Sequence, residues 1–122
     1  MKIVTLKNAS STSPELQVKY CTSFFSKLLG LMFTNDIQQE EGIILVEDHE
    51  SKINTAIHMA FMNYDITVLW LDKNLVIVDK ALAKRWRPMY VPSKPAQYVV
   101  ELHQELFSKF NVGDKLILSE SP

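Results

Sequence analysis

Cysteine occurs once in this chain, at Cys21. That leaves no intramolecular disulfide and no cysteine-based zinc cluster. A lone thiol fits a reducing compartment, so a cytoplasmic location is the expectation. Long apolar runs are missing as well. No window reaches the ~18 uninterrupted apolar residues of a spanning helix. The amino terminus, Met1-Lys2-Ile3-Val4-Thr5-Leu6-Lys7, has no leader-like apolar stretch followed by small residues. Membrane is therefore not expected as a partner of the chain as given. Excess charge of one sign is absent: 13 Lys and Arg stand against 14 Asp and Glu, a formal net charge of -1. Such a field does not draw in a polyanion, and nucleic acid is not an expected partner. Phosphate loop, dinucleotide glycines and nucleophile elbow are all missing, and no cofactor or metal is called for by any motif. No internal repeat appears.

What is present is a core. With 122 residues, 47% of them hydrophobic and 22% charged, the chain fits one globular domain. Ile3 to Leu6 reads as a first strand, ended by the small-polar stretch Asn8 to Pro14. Leu16, Val18 and Tyr20 alternate with Gln17 and Lys19, the period of a half-buried strand. Phe24 to Leu29 reads as a short helix capped by Thr22 or Ser23 and stopped at Gly30, with another short helical turn after Thr34-Asn35-Asp36. Ile43 to Val46 reads as a strand buried on both faces. Thr67 to Leu71 and Leu75 to Val78, joined by Asp72-Lys73-Asn74, form a hairpin with Asn74 available for a positive φ. Tyr98 to Leu102 is a strand, Gln104 to Phe110 a short helix, and Leu116 to Leu118 a last strand. The sum predicts a mainly β domain, α+β with two or three short helices, closed as a single compact antiparallel barrel or sandwich.

Several blocks carry a resemblance. Gly30-Leu31-Met32-Phe33, Glu41-Gly42-Ile43-Ile44-Leu45, Ile57-His58-Met59-Ala60-Phe61-Met62, Trp70-Leu71-Asp72 and Val99-Val100-Glu101-Leu102 followed by Gly113-Asp114 resemble, in order, the uncharacterised prokaryotic family known as domain of unknown function 192. The similarity covers about residues 16–120. It implies a small, mainly β domain, often behind a leader or anchor, with no established activity. Three departures stand out: Thr34 replaces a usual arginine, Asp65 and Thr67 replace proline and aspartate around Ile66, and His103-Gln104-Glu105 replaces proline-alanine-glycine. A hydroxyl at Thr67 is no general base near neutral pH. A chain of this kind is expected to keep the fold and a pocket and to lack turnover.

The candidate site is read from polar groups in apolar company. In an extended Ile57 to Met62, His58 shares a face with Ala60 and Met62. It is either a buried ring satisfied by backbone groups or a ligand-contacting imidazole. Met32, Met59 and Met62 with His58 would suit Cu(I), although methionine is more commonly a core filler. Lys80 to Lys94 is basic throughout, with Lys84, Arg85 and Arg87 interleaved with Trp86 and Tyr90. It reads either as a solvated loop whose tryptophan packs inward or as an anion site of guanidinium forks. Glu47-Asp48-His49-Glu50 reads as a solvated turn and Cys21 as a small buried hydrophobe. The best-supported function is a binding module for a small anionic or polar ligand, contacted by His58, Trp86, Arg87, Arg85 and Glu101 and without a metal. The alternatives are a hydrolase or transferase using His58 as base near Glu101, and a partner-docking domain.

Overall fold

The computed structural model describes residues 2–11, 15–22, 37–59, 62–87 and 89–120. The helical expectations over 24–36 lie outside them. The described residues form seven strands: β1 (Lys2–Asn8), β2 (Leu16–Cys21), β3 (Glu41–Ser51), β4 (Ile66–Leu71), β5 (Ile77–Ala83), β6 (Ala96–His103) and β7 (Leu116–Glu120). A 3-10 helix, Gln104–Lys109, follows β6 where a short helix was expected. The chain is mostly β, a single curled sheet forming a half-barrel in the order β5-β4-β6-β3-β2-β1-β7.

Pairing is antiparallel except between β2 and β3, which run parallel. Parallel neighbours cannot be joined by a tight hairpin, and β2 and β3 are well separated in the sequence, Cys21 ending one and Glu41 beginning the other. The β4–β5 hairpin forms as expected, but the positive φ falls on Leu75 (65°) and not on Asn74. The reason is local: the Asp72 carboxylate accepts the N–H groups of Asn74 and Val76, and the Leu75 N–H bonds the Asp72 carbonyl, so the turn is wound around Asp72. Glu47 to Glu50, expected as a turn, continues β3 past a register shift between Val46 and Ser51.

Each face of the sheet carries its own apolar cluster. One joins Val4, Leu6 and Leu116 of β1 and β7 to Ile77 of β5, strands at opposite ends of the sheet order, so this is the face about which the sheet curls. Curling brings the edges together at Val76 and Lys115, where the Leu116 N–H reaches the Leu75 carbonyl at 2.9 Å. Leu106 and Phe110 pack into the same cluster, and Lys80 Nζ donates to the Phe107 and Phe110 carbonyls that close the 3-10 helix. The opposite face holds Cys21, Ile43, Ile66, Val68, Trp70 and Val99. Ile57, Met59, Met62, Tyr64 and Tyr90, from the two segments outside the sheet, cover it.

Candidate functional site

The two covering segments meet as a short ribbon. Ile57 and Tyr90 exchange both backbone hydrogen bonds, at 2.9 and 2.8 Å, and so form an antiparallel hydrogen-bonded pair. Both point at the core, as does Met59. Alternation therefore sets His58 opposite Met89 on the outward side, and both are exposed. This corrects the picture of His58 as a polar group buried in an apolar strip with Met62. The Met62 N–H bonds the Met59 carbonyl at 3.1 Å, and His58 faces solvent while Met62 is buried. Ala60 and Phe61 lie outside the described residues. The thioether set is not assembled either: Met59 and Met62 are core residues, His58 faces away from them, and Met32 is outside the described residues. No group of three His, Cys, Asp or Glu converges among the described residues.

Beyond the ribbon lies the turn Lys84 to Arg87, where each of four consecutive N–H groups has its own acceptor. Lys84 donates to the Tyr90 hydroxyl at 2.8 Å, Arg85 to the Asp65 carboxylate at 2.9 Å, Trp86 to the Met59 carbonyl at 2.8 Å and Arg87 to the Lys84 carbonyl at 3.3 Å. Trp86 sits in this frame at φ 64° and is 57% exposed. A bulky residue in the left-handed region is strained by roughly 1–2 kcal/mol. Four satisfied donors, each from a different acceptor, hold it there. The expectation of a tryptophan packed inward is thus overturned: the turn geometry directs Trp86 outward, and Tyr90 and Tyr64 take the core positions instead.

Electrostatics around the turn are uneven. The Asp65 carboxyl is held below its usual range, first by the Arg85 N–H and then by the Lys84 and Arg85 charges. Lys84 Nζ and Arg85 Nε approach it at 3.5 and 3.9 Å, and Arg85 also reaches the Asn63 carbonyl at 3.4 Å. Arg87 pairs with no carboxylate among the described residues, and its guanidinium lies 5.9 Å from the centroid of the Tyr90 ring. Arg85 and Arg87 consequently do not form two forks over one anion. Arg85 is turned to Asp65, whereas Arg87 meets no carboxylate among the described residues.

Glu101 does not join this group. On β6 it lies between Ile43 of β3 and Val68 of β4, on the face beneath the ribbon, and is 7% exposed. No described side chain bonds its carboxyl, and burial pushes its pKa up to about 7. His58 is on the far side of the ribbon from it, so the expected base and acid are separated by the Ile57 and Met59 layer. Thr67 is next to Val68, the cross-strand partner of Glu101, but its side chain lies on the opposite face of the sheet. It is buried on the curled side, opposite Leu102, and its hydroxyl donates to the Gln104 carbonyl at 3.2 Å. Asp65, one of the departures from the family pattern, fastens the turn. Met89 and Val91 are exposed beside the inward Tyr90, and Met89-Tyr90-Val91 between Pro88 and Pro92 shows the alternation that exposes them, a signal the sequence reading did not use.

The chain is 35% identical over 106 residues to a UPF0127 protein of Thermococcus kodakarensis, covering 87% of this chain and 66% of that one. It is 35% identical over 103 residues to a UPF0127 protein of Pyrococcus furiosus, covering 83% of this chain and 85% of the relative. The chain thus spans just under two thirds of the Thermococcus relative's length. A crystal structure from Novosphingobium aromaticivorans DSM 12444, of a protein of unknown function, superposes with TM-score 0.77 at 17% identity over 94% of this chain and 83% of that one. A Sinorhizobium meliloti 1021 protein, provisionally described as a transcription regulator, superposes with TM-score 0.83 at 18% identity over 96% of this chain and 92% of that one. At those identities the likeness shows a shared fold alone. Residues 4–118 match the model of the family DUF192, "Uncharacterized ACR, COG1430". This match and the UPF0127 relatives show that the chain belongs to the DUF192 family.

Proposed function

We propose that this chain is a binding module for a small anionic or polar ligand, taken on the outward side of the ribbon around Trp86 and Arg87. The observation that carries the reading is Trp86 itself. The fold holds a large aromatic side chain in a strained backbone conformation and leaves it exposed, a pattern found where strain serves a site and not the core. Arg87 beside it is a planar donor without a carboxylate partner among the described residues, suited to phosphate or carboxylate. His58 adds an exposed imidazole on the segment that pairs with this one.

The test is a thermal shift with inorganic phosphate and with citrate, at constant ionic strength, on the natural chain and on Arg87→Ala. Ligand present at a hundredfold excess over Kd is expected to stabilise the natural chain by about 2.7 kcal/mol and the variant by much less. Equal shifts in both proteins would reduce the effect to salt and remove the reading.

A further inference from the structure

Part of the ribbon's outward side has no use for a small anion. Met89 and Val91, 59% and 54% exposed, alternate with the inward Tyr90, and Trp86 stands at the end of the same segment. Scattered exposed apolar residues are ordinary on a protein surface. Here three of them fall within residues 86–91, directly after Lys84 and Arg85 and around Arg87. Lys84 and Arg85 share a single carboxylate, Asp65, and Arg87 has none among the described residues, so three cations face one acid. A free phosphate would neutralise charge and leave the indole, thioether and isopropyl groups in water. A surface that carries phosphates above an apolar layer satisfies both sets of groups at once.

We propose that the ribbon docks peripherally on an anionic phospholipid bilayer. Lys84, Arg85 and Arg87 lie at the level of the phosphates, and Trp86, Met89 and Val91 reach the boundary between headgroups and acyl chains. The proposal rests on the anion-binding reading and names the source of the anion. It concerns a surface contact and needs no spanning segment.

Vesicles of phosphatidylcholine alone, and of phosphatidylcholine mixed with phosphatidylglycerol, provide the test by co-sedimentation and tryptophan emission. Trp70 is buried, with its indole N–H on the Thr55 carbonyl at 2.7 Å, so an emission change on binding reports Trp86. Binding is expected only to the mixed vesicles, with a blue shift and release by added salt. Arg87→Ala is expected to weaken partitioning about fivefold. Trp86→Gly, which accepts the positive φ and so preserves the turn, is expected to weaken it at least as much and to abolish the blue shift. No binding to mixed vesicles, while phosphate still stabilises the chain through Arg87, would overturn the bilayer and leave the anion reading standing. No response to phosphate or to vesicles would remove both. Vesicle binding indifferent to the two variants, or without an emission shift, would place the contact elsewhere and overturn the proposal. Binding of an acidic polypeptide to the ribbon, with no binding of vesicles, would overturn it too.

Discussion

The Arg85 N–H donates to the Asp65 carboxylate at 2.9 Å, and this bond ties the Lys84 to Arg87 turn to the entrance of β4. Asp65 is half-buried and acts as an anchor: one oxygen receives a backbone donor while two cations stand close by. The frame that presents Trp86 therefore depends on a residue twenty-one positions earlier in the sequence.

Removing that anchor is expected to loosen the turn. Asp65→Ala should cost about 1–3 kcal/mol at neutral pH, the loss of a charged acceptor that leaves an N–H without its partner. The Asp65 carboxyl is held below its usual range in the fold. Its contribution is accordingly present above the ordinary carboxylate pKa and is lost as pH falls through the lower folded value. Urea unfolding at pH 7 and at pH 2.5 checks this: the difference between the two proteins should shrink in acid.

Strain at Trp86 is open to a direct measurement. Trp86→Ala and Trp86→Gly both delete the indole and differ only in the backbone they tolerate. At φ 64° the glycine variant is expected to be the more stable by about 1 kcal/mol, the reverse of the order at an ordinary extended position. Thermal unfolding of the pair decides it, and an alanine variant at least as stable as the glycine one would show that the turn is not strained.

Glu101 makes stability depend on pH in the opposite sense to Asp65. Its pKa is about 7 in the fold and near 4.5 in the unfolded chain, so between those values the folded state holds the extra proton. Stability is fully present below about pH 4.5 and declines as pH rises through about 7, by roughly 3 kcal/mol in all. In Glu101→Gln that decline should disappear. Denaturation of both proteins at pH 4.5 and pH 8 gives the comparison, and a natural chain with no loss across that range would contradict an acid whose pKa is raised by burial.

Gly42 tests how closely β3 approaches β6. A Cβ built there would lie 2.5 Å from Leu102 Cδ2 and 2.7 Å from the Glu101 carbonyl oxygen. The leucine tip can give way, but the backbone oxygen cannot without moving the β6 ladder. Gly42→Ala is expected to destabilise by about 1–3 kcal/mol, measurable as a lower urea midpoint with an unchanged slope.

The amino-acid sequence by itself determined the local elements. Alternation in Leu16-Gln17-Val18-Lys19-Tyr20, the apolar runs either side of Asp72-Lys73-Asn74, and the apolar spacing of Leu106 and Phe110 are each written in neighbouring residues, and each appears as expected. Turn details were less legible, because the positive φ fell on Leu75 through a side-chain acceptor at Asp72 that propensity alone does not rank above Asn74. The candidate site was legible as composition and not as arrangement. His58 on the ribbon and Trp86 and Arg87 on the adjoining turn are all exposed, and the outward aspect of His58 was set by the Ile57–Tyr90 pairing. Glu101, close in kind to a catalytic acid, was placed beneath that ribbon by its register with Ile43 and Val68. Register and covering are contacts between residues tens of positions apart, and hydrogen bonds of that range leave no periodic trace in the chain. Only the closed tertiary structure could decide that a tryptophan would be strained outward while a glutamate went inside.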